Sequence, residues 1–362
     1  MIFPILNGLI GWRKAPVTWA LVLLNLTVLV YTTYTGVEAQ TGLSEAMNSK
    51  YFVTTQGRIY AQYLAERSRA EYPDFLLDLG RQVESGESDR GEMLGQLAFR
   101  DTAFIRAAKE MDFRGDQVAF KLWRKKIAQV EGYQDQHPSF TLGLNSADTG
   151  MGRWVSYIFV HSGWLHFAGN MLFLVIFGAA LERQIGGLGF LTVFLLSGIF
   201  AAGVFALMTG VTSSPLVGAS GSVSGIMALY CILNWSRPER YFYWLFLPFR
   251  GFMGWVYLPA WVALALWMVN DLAGYLGTLP ELGGVAHTAH LGGEVAGLIV
   301  GATLFGLRRY GPESVRRDAL GADRERRTPV PMMVLIPFLP PLRRLPRLKT
   351  IEQSEDTGKI AS

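Results

Sequence analysis

Gly218-Ala-Ser220-Gly-Ser-Val-Ser224-Gly-Ile-Met-Ala-Leu-Tyr-Cys231-Ile-Leu-Asn-Trp235 is a run of small and apolar residues with a hydroxyl near its amino end and no charge within it. As a helix starting at Ser220 it is about sixteen residues long and rises roughly 24 Å, against a bilayer hydrocarbon core about 30 Å thick. A helix this apolar belongs in a membrane, and one this short leaves its amino end below the surface. Ser220 then stands at a helix N-terminus, where unpaired backbone N–H groups and the positive end of the helix dipole face whatever the hydroxyl approaches. Lipid tolerates such an end only where water and other side chains surround it, so the chemistry of the chain is to be sought around Ser220.

Half of the 362 residues are hydrophobic and 17% are charged. The apolar residues form long blocks instead of amphipathic stripes, the pattern of an all-α polytopic membrane protein. Six spans are expected, at residues 17–34, 162–181, 188–208, 220–235, 255–275 and 290–307. Positively charged short loops stay in the cytoplasm. Arg13 and Lys14 precede the first span, Arg183 follows the second, Arg237, Arg240 and Arg250 follow the fourth, and Arg308 and Arg309 follow the sixth. The links at 209–219 and 270–289 contain no Lys or Arg, which puts them outside and both termini in the cytoplasm. The first apolar block lacks a small-residue cleavage site and reads as an uncleaved span. With no organelle-targeting pattern at the amino end, a bacterial inner membrane is the expected location. The net charge of +4 sits in arginines that set topology, so no nucleic-acid surface is implied. Cys231, the single cysteine, excludes an intramolecular disulfide.

The chain divides into residues 1–35 with the first span, a polar insert at 36–150 outside the membrane, a core at 151–307, and a basic tail at 308–362 that is partly interfacial. In the insert, Leu94, Leu97, Phe104, Ile105 and Ala108 recur at helical spacing, as do Val118, Leu122, Ile127 and Val130. Its charges nearly balance, and it reads as a helical accessory module, with a substrate-recruiting surface as the alternative. In the tail, three prolines interrupt the apolar run 331–340, which is too short to cross a bilayer. It is expected at the cytoplasmic interface, where Arg343, Arg344, Arg347 and Lys349 can meet lipid phosphates.

Of the five histidines, His161, His166, His287 and His290 fall within or beside spans, where ionisable side chains default to function. The topology carries His161, His166, Ser220 and His290 to the same side of the membrane. A serine needs a base to take its proton, and histidine is the usual one. His290 is favoured over His287 because Gly293 and Gly297 behind it form a small-residue face that allows two helix backbones to approach. Ser220, Gly221 and Ser224 offer the matching face. His166 and Asn170, four residues apart, share a helix side and can point together at a developing oxyanion, with the Ser220 backbone N–H as a third donor. A metal site from His287 and His290 lacks an accompanying carboxylate or cysteine cluster, and none is expected. His161 suits a structural role at the outer end of the second span, and His287 a loop or cap.

His161-Ser-Gly-Trp-Leu-His166-Phe-Ala-Gly-Asn170, Gly218-Ala-Ser220-Gly221 and Ala289-His290-Leu-Gly-Gly293-Glu-Val-Ala-Gly297 resemble the three motifs of rhomboid intramembrane serine proteases, in order and on matching spans. The resemblance runs from about Gly150 to Leu307 and includes Leu258-Pro-Ala-Trp261. It implies a six-transmembrane-helix rhomboid-like bundle and a Ser-His dyad without a third carboxylate. Ser220 would be the nucleophile and His290 the general base, with His166, Asn170 and the Ser220 N–H as oxyanion donors. The substrates would be membrane-anchored proteins cut in or near their transmembrane helix, with no metal or organic cofactor.

Two positions depart from the family pattern. Ser224 stands where many members have an aromatic residue beneath the catalytic imidazole, and Glu294 stands where an apolar residue is commoner. Both lie one turn below the dyad, and a neutral Glu294 hydrogen-bonded to Ser224 is the expected substitute for the missing aromatic, with Glu294 facing a water-filled gap and no catalytic effect as the alternative. The family's interfacial Trp-Arg pair is reversed, as Arg153-Trp154. An inactive relative that binds membrane proteins in quality control would be expected to lose the serine or the histidine, and both are kept. A solute transporter would show inverted repeats, which are not found. The oligomeric state and the physiological substrate are left open.

Overall fold

The computed structural model describes residues 2–4, 11–86, 88–145, 150–208, 214–244, 253–277 and 287–310. Thirteen helices make up most of it: α1 Pro16–Asn48, α2 Lys50–Ala65, α3 Asp74–Glu84, α4 Ser88–Ala98, α5 Thr102–Ala108, α6 Gln117–Gln136, α7 Pro138–Leu142, α8 Arg153–Ser156, α9 Trp164–Phe173, α10 Ala179–Met208, α11 Ser220–Leu233, α12 Trp261–Gly277 and α13 His287–Tyr310. A π-helical turn, Leu174–Gly178, joins α9 to α10, and non-helical backbone at Gly186 breaks α10 near its start. That break divides the second expected span from the third. Pro16–Asn48 and Trp164–Met208 are long and apolar enough to cross a membrane, while Ser220–Leu233 and Trp261–Leu276 are shorter apolar helices.

Two hydrophobic cores organise the chain. One gathers α9 to α12 and the start of α13 around α11, with Phe177, Phe190, Phe194, Ile226 and Leu229 fully buried. Its outer surface is apolar too: Leu165, Leu188 and Leu207 are more than 80% exposed, which suits lipid far better than water. The amino end of α1 is fastened to this core by a carboxylate. Glu182 on α10 accepts from the Val17 and Thr18 backbone N–H groups at 2.9 and 2.7 Å and from the Thr18 hydroxyl at 2.7 Å, satisfying orphan donors of the first turn.

The second core lies in the insert. α1 continues past the expected end of its span at residue 34, and its last turns pass Leu43 and Ala46 into a cluster with Phe52, Ile59, Tyr60, Leu94, Phe104 and Trp123. Leu94, Leu97, Phe104, Ala108, Ile127 and Val130 of the expected helical stripes are buried there, and Ile105 packs against it. Val118 and Leu122 are exposed, so the inward face of α6 is instead Ala119, Phe120, Trp123, Ile127 and Val130. Gln56 ties the cluster together, accepting from Trp123 Nε1 at 3.0 Å and donating to the Gly95 carbonyl at 2.8 Å.

The all-α expectation needs one correction. A three-stranded antiparallel sheet, order β1-β2-β3, is formed by β1 Ile2–Pro4, β2 Pro238–Trp244 and β3 Met253–Pro259. The fifth expected span therefore starts at Trp261, because Trp255 to Pro259 pair with β2 from Phe242 to Pro238. Alternating aromatic and aliphatic residues in Trp255-Val-Tyr-Leu fit a strand as well as they fit an apolar run. Residues 311–362, with the apolar run 331–340 and its basic neighbours, lie outside the described residues.

Candidate functional site

The pairing of α11 with α13 sets the geometry, and it rests on glycine. A Cβ at Gly293 would stand 2.0 Å from the Gly221 carbonyl oxygen, and one at Gly297 would stand 2.1 Å from that of Gly225. Neither contact could exist with a side chain, so the two backbones touch. The matching face on α11 is thus Gly221 and Gly225, not Gly221 with Ser220 and Ser224. Its register puts Ala289 O close to Gly221, so His290 lies on the turn of α13 alongside the start of α11. Ser220 is half-buried as the first residue of α11, and His290 is buried.

On the opposite side of the serine, Gly218 has φ +116°, a left-handed conformation open to glycine. A Cβ there would meet His166 Cε1 at 2.7 Å and Nε2 at 2.8 Å, and would come within 3.8 Å of Asn170 Nδ2. The two expected oxyanion donors thus converge on the backbone leading into Ser220. The loop is held from below by Gly218 N–H donating to the Tyr157 carbonyl at 2.9 Å, and the backbones of Leu144 and Leu216 exchange two hydrogen bonds. His166 Nδ1 lies 3.1 Å from Ser162 Oγ, and Asn170 Nδ2 donates to the His166 carbonyl at 2.9 Å. His161 is buried, its ring edge-on to His166 and Phe167, which agrees with a packing role. Arg153 Nη1 donates to the Phe140 carbonyl at 2.8 Å, tying α8 to α7 at the end of the insert.

Beneath the histidine the structure departs from expectation. Asp271 on α12 is buried, and its Oδ1 lies 2.9 Å from Nδ1 of both His290 and His287. His287 is therefore not a free loop or cap residue. Residues 270–277 belong to α12, not to an outer link. One signal in the sequence could have found Asp271: it is the sole charged residue in the apolar block 255–275. Asp271, His287 and His290 also bring three donor atoms within 4.8 Å of one another, so the carboxylate thought missing beside the histidine pair is present. Its 2.9 Å separations are hydrogen-bond distances.

The expected bond between Ser224 and Glu294 does not form. Ser224 Oγ accepts from Trp267 Nε1 at 3.2 Å, and neither oxygen of the fully buried Glu294 has a protein hydrogen-bond partner among the described residues. The indole of Trp267 lies 6.0 Å from the His290 ring, centre to centre, and is wedged edge-on against Phe173 at 4.6 Å. The aromatic absent at position 224 is thus supplied by α12, with Ser224 anchoring it.

The frame of the site is an apolar helical bundle, with a serine opening its central helix and a histidine on the helix packed against it. Residues 148–307 match the family model of the rhomboid domain. Among curated relatives, Rhomboid protease GlpG of Serratia proteamaculans is 34% identical over 149 residues, 41% of this chain and 46% of the relative. RHOMBOID-like protein 5 of Arabidopsis thaliana is 29% identical over 164 residues, 44% of this chain and 46% of the relative. Rhomboid-type serine protease 2 of Emericella nidulans is 27% identical over 180 residues, 49% of this chain and 31% of the relative. The chain thus spans less than half the length of each of these relatives.

Proposed function

We propose that the chain is an intramembrane serine endopeptidase that cuts membrane-anchored proteins in or near their transmembrane helix. Ser220 is the nucleophile and His290 the base that takes its proton. His166, Asn170 and the Ser220 N–H receive the oxyanion of the tetrahedral intermediate. The observation that carries this reading is the convergence on one helix end: His166 and Asn170 close on Gly218, while the glycine contact with α13 brings the turn of His290 to Gly221. The family match and relatives described as serine proteases support it.

The same proposal has six spans in the membrane, α11 among them and the second and third divided by the break at Gly186, with both termini in the cytoplasm and the insert at 36–150 outside. The absence of Lys and Arg from 209–219 supports that orientation. A bacterial inner membrane is the proposed compartment. Labelling of the purified protein by a fluorophosphonate, together with cleavage of a model transmembrane substrate, tests the activity. Both are expected in the wild type and both should vanish in Ser220→Ala. A wild-type chain that neither labels nor cleaves would instead be a binding factor of the inactive kind.

A further inference from the structure

We propose that Asp271 is a positioning residue for His290, making the site an Asp-His-Ser array in place of a dyad. The inference rests on the assignment of His290 as base in the preceding paragraphs. One carboxylate oxygen, Asp271 Oδ1, lies 2.9 Å from two imidazole nitrogens, His287 Nδ1 and His290 Nδ1. An ionised carboxylate oxygen can only accept, so with Asp271 ionised both rings present Nδ1–H toward it. The His290 ring then carries its lone pair on Nε2, the far nitrogen, where a base able to take a serine proton needs it. The bond also fixes the ring plane. A negative charge behind the ring favours the positive charge that appears when the ring accepts the proton.

His287 makes the arrangement firmer. It lies three residues before His290 on the same helix, so the single carboxylate of α12 bridges two successive positions on one face of α13. Its own ring stands edge-on to His290 at 6.1 Å between centres. Trp267, one turn before Asp271 on the same face of α12, also lies beside the His290 ring, tilted by 46° to it. Among the described residues, the titratable groups facing Asp271 are His287 and His290 from α13 and, one turn deeper, Glu294, which is near enough to interact with its charge. Glu294 makes no hydrogen bond to either histidine, so Asp271 is the carboxylate that orients them.

The test reads the tautomer directly. Nitrogen-15 NMR of histidine-labelled, full-length protein in detergent, with His290 assigned through His290→Ala, is expected to show Nδ1–H and an unprotonated Nε2 in the wild type. Asp271→Asn, which keeps an acceptor oxygen, should retain that tautomer in part. Asp271→Ala should shift it toward Nε2–H. In parallel, kcat and the fluorophosphonate labelling rate should fall by roughly ten- to a hundredfold in Asp271→Ala, with KM and Tm close to wild type and partial rescue in Asp271→Asn. A wild-type His290 found as Nε2–H would overturn the proposal, as would unchanged kcat in a variant whose tautomer has moved. Loss of activity on chelation that zinc restores would assign the three atoms to a metal and overturn it as well. A wild type inactive toward substrate and probe would remove the protease reading, while the tautomer would still report whether Asp271 orients His290.

Discussion

Gly293→Ala puts a methyl group where the backbones of α11 and α13 touch. The new Cβ would stand 2.0 Å from the Gly221 carbonyl, and the partner atom is backbone, which cannot swing aside. Ordinary contact begins near 3.4 Å, so the helices must separate locally by about 1.4 Å. Overpacking of this kind costs about 1–3 kcal/mol, small enough for the protein to fold with a lowered melting temperature. Catalysis should suffer more than stability, because Gly221 follows Ser220 directly and Gly293 lies one turn below His290. A misplacement of 1 Å between reacting groups costs about a hundredfold, so fluorophosphonate labelling and kcat should drop by about that factor or more. Gly132→Ala on α6, where a Cβ meets nothing within 4 Å, is the control and should label at the wild-type rate. If Gly293→Ala labelled and melted like the wild type, backbone contact would not be what holds serine and histidine together.

Trp267→Phe should keep a ring beside His290 but lose the bond to Ser224, lowering labelling about two- to fivefold, whereas Trp267→Ala removes both and should cost several times more. Glu182→Ala strips three hydrogen bonds from the first turn of α1 and should lower stability by about 1–3 kcal/mol in a detergent melt, with Glu182→Gln intermediate. In the insert, Ser139 N–H donates to His137 Nδ1, so the neutral ring carries its proton on Nε2, 2.9 Å from Gln40 Oε1. Burial holds His137 below its ordinary value near 6.5, so the unfolded chain takes the proton first as pH falls. The stability from the neutral ring is complete above that value and is lost as pH drops through the folded one; limited proteolysis should cut the insert faster at acid pH, and His137→Gln should flatten that dependence. For topology, a cysteine at the exposed Met151 in a Cys231→Ala background should react with an impermeant maleimide from outside intact cells.

How much of this was legible in the sequence depended on whether the partners were near in the chain. Ser220, the pair His166 and Asn170, and the glycines of α13 sit in short motifs, so local spacing alone marks them as candidates. The insert's helices were legible from their period, although α6 buries a different stripe from the one first expected, because Trp123 and Phe120 outweigh Val118 and Leu122 in apolar area. Asp271, Trp267 and Glu182 escaped for the opposite reason. Each acts on a residue of another helix, and no spacing within 255–275 or around Glu182 reveals which helix end it will meet. Ser224 and Glu294 show the same limit: equal depth below the dyad made them plausible partners, but which way each faces was settled by α12, whose indole reaches Ser224 first. The strand at Met253–Pro259 was missed because a short apolar aromatic run carries no period that separates strand from helix.

The shortness of the serine's helix has a different cause from the one its length alone suggests. The rule that a span needs about twenty residues assumes a helix facing lipid, where an apolar length mismatched to the bilayer is costly. Every residue from Gly221 to Cys231 is buried, so α11 is surrounded by protein and is released from that rule. Its ends are set by polar contacts instead. At the carboxyl end Asn234 donates to the Tyr230 carbonyl at 2.8 Å and to Gln184 Oε1 at 3.1 Å, while the Tyr230 hydroxyl donates to the buried Glu239 of β2 at 2.6 Å. At the amino end the left-handed turn at Gly218 stops the helix against His166. A central helix fixed at both ends can be fourteen residues long and still sit in a bundle of longer ones. For the proposed nucleophile this is the condition for lying below a membrane surface: the helix that bears it must be the one that lipid does not touch.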